Sequence, residues 1–154
     1  MDVSKVVLEV NQLSIGIQNQ AGIFPAINAL SFSIQAGVTF ALLGESGCGK
    51  TMTALSISQL LPQGAHYYEN SQIKLEGSDL LTLSEIQMRQ FRGKKIGMIF
   101  QEPMTSLNPV LTIGHQISET LAVHNGYTNK TRKEKVIALL NAVGIPDAKM
   151  RYHH

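Results

Sequence analysis

Cysteine occurs once in this chain, at Cys48. A single thiol excludes an internal disulfide framework and an all-cysteine zinc site. Charge is scarce as well. Asp, Glu, Lys and Arg make up 16% of the 154 residues, and 13 basic against 11 acidic side chains leave a formal net charge of +2. That balance is too small to be a nucleic-acid footprint by itself. No apolar run approaches the ~18–20 residues needed to span a bilayer. The N-terminal stretch MDVSKVVLEV has neither the basic n-region nor the apolar h-region of a signal peptide, so a cytoplasmic location is expected. Internal repeats and low-complexity tracts are missing too. What is present is a 44% hydrophobic chain of one-domain length, enough for a buried core.

The apolar pattern is that of a mixed α/β protein. Val6–Ile17 is rich in Val, Leu and Ile, partly alternates and reads as a strand. Gly22–Pro25 reads as a break. In Ile27–Ile34 the apolar positions recur every two or three residues, which predicts a half-buried strand. Val38–Leu43, VTFALL, is a continuous apolar run of the kind found in strands buried on both faces, and Lys95–Phe100, KIGMIF, is a second. Ser71–Leu75 reads as a short strand ending at Gly77. A helix is predicted from Lys50 to about Leu61, stopped by Pro62. Thr82-Leu83-Ser84-Glu85 has capping-box spacing and predicts a helix to about Arg92. Thr112–His124 suits a third helix. Thr131-x-x-Glu134 is another capping-box spacing, opening a helix with Val136, Leu139, Leu140 and Val143 on one face and Gly144 at its end.

Between the first buried-strand run and its helix lies Gly44-Glu45-Ser46-Gly47-Cys48-Gly49-Lys50-Thr51, a match to G-x-x-x-x-G-K-[ST]. Each part has a physical task. Glycines allow backbone angles closed to other residues, so successive N–H groups can turn inward onto phosphate oxygens. The helix that follows aims its positive end at the same anion. Lys50 can reach the β- and γ-phosphates, and the Thr51 hydroxyl can ligate Mg²⁺. Glu45 is read as a solvent-facing member of the loop, since a carboxylate aimed at phosphates would repel them. Cys48 is read as a small filler, since phosphoryl transfer needs no thiol.

The phosphate loop alone does not choose among nucleotide-using families. A second stretch does. Ile99-Phe100-Gln101-Glu102-Pro103-Met104-Thr105-Ser106-Leu107-Asn108-Pro109 resembles the Q-loop of ABC-transporter ATPases, in particular the branch that powers uptake of di- and oligopeptides, nickel or glutathione. The segments LSFSIQAG, LLGESGCGKT and Val143-Gly144-Ile145-Pro146 are similar to the same branch, so the likeness runs from about Val7 to Pro146.

The resemblance implies half of a P-loop NTPase (RecA-like) core, with an N-terminal antiparallel β subdomain and the start of a helical subdomain. Its expected division is about 1–37, 38–101 and 102–150. It implies ATP and Mg²⁺ as ligands, Gly44–Thr51 as the phosphate cradle, and Gln101 with Thr51 at the metal. An amide oxygen can coordinate Mg²⁺ and orient an attacking water, so Gln101 and Lys50 are the expected catalytic groups. The family also stacks an aromatic ring on adenine from its N-terminal β region, and Phe24 is the best-placed ring here. Transmembrane permease subunits, met through the Q-loop and Met104, and a second ATP-binding subunit are the implied partners, at the inner face of the cell membrane.

The family further needs an LSGG-type signature, an acidic strand carrying an Asp for Mg²⁺ and a Glu as general base, and a switch histidine. These 154 residues hold none of them. The chain alone is therefore expected to bind nucleotide at most. Val38–Leu43 and Lys95–Phe100 are expected to show unpaired edges and exposed apolar faces, because the strands beside them in the family come from the other half. Two other readings are a non-catalytic truncated fragment or interaction module, and a soluble ABC ATPase of DNA repair or translation. The peptide-import character of Gln101–Pro109 speaks against the second.

The remaining features are read as ordinary. Lys130, Arg132, Lys133 and Lys135 are the solvated start of a helix. His66, His115 and His124 show no metal-ligand spacing. Met88 and Met98 are packing residues. No nucleic-acid partner is expected.

Overall fold

The computed structural model describes residues 5–101, 106–125 and 127–154. Glu102–Thr105, including Met104, and the side chain of His124 lie outside the described residues. The chain divides into two units, Met1–Met88 and Arg89–His154.

The first unit is built on a long antiparallel hairpin, β1 (Val6–Asn19) and β2 (Gly22–Gln35). Its turn is held by the Asn19 side chain, whose Oδ1 accepts from the Ala21 N–H at 2.8 Å. The segment Gly22–Pro25, expected to be a break, is instead the start of β2. Its residues pair with Gly16–Asn19, and the ladder overrides the local Gly and Pro signal.

The irregular alternation of both strands has a cause. In β1 the buried apolar side chains are Leu8 and Val10, then Leu13 and Ile15. Even positions give way to odd ones across one extra residue. The register shifts there, and Gln12 takes φ 48°. Facing it, Ala29 of β2 also takes φ 48°. A one-residue insertion is what returns an out-of-phase apolar set to the same face. Two hydroxyls serve the irregularity: Ser31 Oγ accepts from Gln12 N–H, and Ser14 Oγ accepts from Ala29 N–H, each at 2.8 Å.

Three short strands complete the sheet: β3 (Ala65–Tyr67), β4 (Gln72–Leu75) and β5 (Ser78–Asp79). The main path runs β2-β1-β4-β5, with β3 also on β1, and every pairing is antiparallel. Ile73, Leu80 and Met88 join the β1 residues in the core.

Helix α1 (Lys50–Ile57) presents Thr53 and Ser56 as its buried residues. Their hydroxyls bond back into the helix, to Gly49 O and Thr53 O, so their burial leaves no polar atom unpaired. The helix ends four residues before the expected Leu61. Gln59, at φ 50°, turns the chain, and its amide donates to Leu80 O. Tyr67 Oη, from β3, caps the same region by donating to Ser56 O at 2.8 Å.

The largest correction concerns the two apolar runs. Neither Val38–Leu43 nor Lys95–Phe100 is a strand; the latter region holds only an isolated bridge between Arg92 and Ile96. A strand exists only where a neighbour takes up its N–H and C=O groups. No strand among the described residues does so here. Most of their apolar side chains stay exposed, as expected for unpartnered runs: Leu43 is 88% and Ile99 98% accessible, while Ile96 and Met98 are half-buried. Phe40 alone finds an aromatic partner, stacking on Phe32 of β2 with centroids 5.0 Å apart.

Helix α2 (Glu85–Phe91) spans the division between the units. Its capping box lies two residues later than Thr82–Glu85. Ser84 N–H donates to Gln87 Oε1 at 2.9 Å, while Ser84 Oγ accepts from Gln87 N–H. Thr82 is instead taken into a short 3₁₀ turn, Leu80–Thr82.

The second unit holds α3 (Ile113–Asn125), α4 (Asn129–Ala142) and α5 (Ala148–Arg151). The cap of α4 is Thr128, three residues ahead of Thr131, because its hydroxyl takes the Thr131 N–H. Of the expected apolar face of α4, Val136 and Leu140 are buried with Ala148 against Ile113, Ile117 and Tyr152. Leu139 and Val143 are exposed. Gly114 lies so close to Tyr152 that a Cβ there would stand 2.5 Å from its ring, and Gly114 N–H donates to Tyr152 O.

Candidate nucleotide site

The loop Gly44–Gly49 leaves the exposed apolar run and enters α1. Its path depends on glycines at Gly47 (φ 84°) and Gly49 (φ 91°). Gly49 is required twice over. Its backbone is left-handed, and a Cβ would meet Ala26 O at 3.0 Å and the Ile27 side chain at 3.2 Å. The loop is thus seated directly on β2. Between the glycines the chain folds through a turn in which Cys48 N–H donates to Glu45 O at 3.3 Å.

Lys50 curls back over this loop. Its Nζ donates to Gly44 O at 2.8 Å and to Glu45 O at 2.6 Å, and lies 3.5 Å from Cys48 Sγ. The ammonium is held by carbonyl dipoles and a thiol, with no carboxylate among these partners. The first turn of α1 contains no acidic residue, and Gly49 makes no side-chain cap, so the positive end of the helix is not answered from within. Residues 44–48 and Thr51 are exposed and so accessible to a ligand. A loop shaped by glycines, a lysine held by main-chain carbonyls and an open helix end fit a phosphate chain. Thr51 is the second residue of α1 and is exposed. No cluster of three His, Cys, Asp or Glu able to hold a metal exists among the described residues.

The other expected site residues are placed as follows. Phe24 lies on β2 opposite Ile17, half exposed, two residues before Ala26, whose carbonyl backs Gly49. Gln101 belongs to the second unit, exposed, at a bend after Phe100. Within the first unit the structure gathers Gly44, Glu45 and Cys48 around the Lys50 ammonium. Sequence reasoning missed the backing of that loop by Ala26 and Ile27. Only the fold brings β2 beneath Gly49.

A seated glycine loop, a returning lysine and a helix opening on the loop define a P-loop nucleotide-binding protein. The chain belongs to the ABC transporter family, whose profile matches residues 27–154. It is 44% identical over 139 residues to the Oligopeptide transport ATP-binding protein OppD of Bacillus subtilis, a match covering 90% of this chain and 39% of that protein. It is 43% identical over 141 residues to the Dipeptide transport ATP-binding protein DppD of the same organism, covering 92% of this chain and 42% of that one. The chain thus spans about two-fifths of the length of these relatives. Among solved structures, a bacterial Atm1-family ABC exporter with ATP bound aligns with TM-score 0.62 at 19% identity, over all of this chain and 24% of the other. That likeness is one of fold.

Proposed function

We propose that this chain is the nucleotide-gripping part of an ATP-binding subunit that powers import of peptides or related small solutes. The observation that carries the reading is the Lys50 ammonium, drawn into the loop by Gly44 O and Glu45 O and paired with no carboxylate there. A triphosphate replaces those two carbonyls with stronger, charged acceptors. The exposed backbone of Gly44–Gly49 and the open end of α1 then take the phosphate oxygens. Thr51, with Gln101, holds Mg²⁺, and Phe24 offers its ring to adenine. When bound, the metal neutralises charge on the phosphates.

The relatives named for oligopeptide and dipeptide transport support the peptide-import assignment. The same assignment brings permease subunits through the Q-loop, a second ATP-binding subunit, and a peripheral position on the inner face of the membrane. No helix among the described residues is long and apolar enough to cross it. The three-part division at about 37 and 101 is retained as part of this reading.

No strand among the described residues carries the Asp and Glu pair that the family's acidic strand would supply as metal ligand and general base. A positioned acid–base group is worth roughly 10²–10⁴-fold in rate. ATP turnover by the chain alone is accordingly negligible. Calorimetric titration with MgATP tests the assignment. Binding is expected for the chain and lost in Lys50→Ala, while Lys74→Ala, on β4, leaves it unchanged. Equal binding by the Lys50→Ala chain would refute the reading.

A further inference from the structure

Positive charge in this chain is gathered at one end. Residues 127–154 hold six Lys and Arg against two acidic residues, a net of +4, while residues 1–126 hold seven against nine, a net of −2. Four of the six, Lys130, Arg132, Lys133 and Lys135, fill the first two turns of α4, and the first turn contains no acidic residue. The helix dipole opposes that placement, because its N-terminal end is itself positive. A charge pattern that works against its own helix points to a use outside the helix.

The fold adds a second contributor. Lys149 of α5 and His153 just after it meet Lys130 and Lys133 around an open hollow of about 380 Å³, lined also by Ile137 and Glu134. The three lysines are exposed, and none is ion-paired with a carboxylate of the described residues. Lys133 Nζ stands 5.2 Å from the centre of the Tyr152 ring, a contact that holds its ammonium in place. Glu134 is the one carboxylate of the lining, and Asp147 lies with Lys149 along a neighbouring hollow.

The make-up of this face selects among anions. Its two guanidinium groups are engaged within the unit: Arg132 Nη2 donates to Asn129 Oδ1, and Arg151 Nη1 lies 3.2 Å from His154 Nδ1. What remains are ammonium groups, point charges without the fork that reads a phosphodiester in register. Val143, Ile145 and Met150 of the same segment are exposed apolar side chains. Ammonium groups beside exposed apolar side chains suit a lipid surface, where the charges attract and the apolar groups enter the acyl boundary.

We propose that the α4–α5 face around Lys130, Lys133 and Lys149 docks on the phosphate headgroups of an anionic membrane surface. It adds a direct lipid contact to the position at the membrane given above and uses nothing of the nucleotide reading.

Co-sedimentation of the whole chain with vesicles tests it. Binding to mixed phosphatidylglycerol and phosphatidylcholine vesicles is expected in about 50 mM salt and lost in about 500 mM, since exposed charges are screened. Phosphatidylcholine alone should bind far less. Lys130→Gln, Lys133→Gln and Lys149→Gln together should weaken binding on the order of a hundredfold, from about fivefold per lysine. Lys5→Gln, Lys74→Gln and Lys94→Gln together change the net charge equally and should keep affinity within about twofold. Glu134→Gln should tighten binding about fivefold, a gain that misfolding does not mimic. Equal loss in the two triple variants, equal binding to neutral vesicles, or unaltered affinity in Glu134→Gln would overturn the proposal. Duplex DNA or inorganic phosphate bound in place of the vesicles, with the same lysine dependence, would overturn the lipid assignment. MgATP binding is kept in both triple variants, and its failure in the unaltered chain would overturn the nucleotide reading alone.

Discussion

Gly49 sits against Ala26 so closely that a methyl group on its Cα would lie 3.0 Å from the Ala26 carbonyl oxygen. This contact joins the phosphate loop to the sheet. Gly49→Ala meets both the strain of φ 91° and a fixed backbone oxygen. The expected cost is about 2 kcal/mol, together with loss of MgATP binding. Gly97→Ala has no atom within 4 Å of the added carbon and should change stability by under about 0.5 kcal/mol. Urea unfolding of the two variants checks the contrast.

Gly44 and Cys48 make a second close pair, with Cys48 Sγ 2.5 Å from a Cβ built on Gly44. Here the obstacle is the tip of a side chain. Gly44→Ala should weaken MgATP binding, Cys48→Ala should leave it nearly unchanged, and the double variant should recover most of the loss. A coupling of about 1 kcal/mol in the cycle is expected, as for residues in contact. Simple additivity in the titrations would show that the thiol is not what blocks the added methyl.

The hairpin irregularity yields a sharper test than any core truncation. Deleting Gln12 removes the extra residue and brings Leu8, Val10, Leu13 and Ile15, all four of them buried, into strict alternation on one face. Cooperative thermal unfolding by circular dichroism should be kept. Deleting Ser14 instead makes Leu13 and Ile15 neighbours in the chain, on opposite faces, and cooperative unfolding should be lost. Ser31→Ala, which strips Gln12 N–H of its acceptor, should cost about 1 kcal/mol.

The unpaired apolar runs predict behaviour in solution. Leu43 and Ile99 project almost wholly into solvent. Leu43→Ser with Ile99→Ser should leave the unfolding midpoint within about 2 °C, since neither side chain contributes buried area. The same pair should reduce concentration-dependent association, measured by light scattering. By contrast, Leu13→Ala empties a fully buried position and should cost about 2–5 kcal/mol.

Much of the site is legible in residue types and their intervals. The spacing Gly44…Gly49-Lys50-Thr51 and the stretch around Gln101 carry their chemistry locally, because a phosphate cradle is a device of one short stretch of backbone. The start of α1 and the helix of Thr112 onward are legible for the same reason. Caps are harder. Ser84 and Thr128, the residues that cap, each stand near another hydroxyl residue, and spacing alone does not choose between them.

By itself the chain of residue types determined that a glycine-rich loop of G-x-x-x-x-G-K-[ST] pattern stands before a helix, that antiparallel strands precede it, and that the whole is α/β. Tertiary structure alone decided three things: that β2 passes under Gly49, that Lys149 joins Lys130 and Lys133 around one hollow, and that VTFALL and KIGMIF are not strands. Each of these rests on a partner outside the segment itself. A loop's backbone angles are written in its own glycines, whereas a strand, a backing surface or a hollow between helices exists only when another segment arrives to complete its hydrogen bonds or fill its contacts.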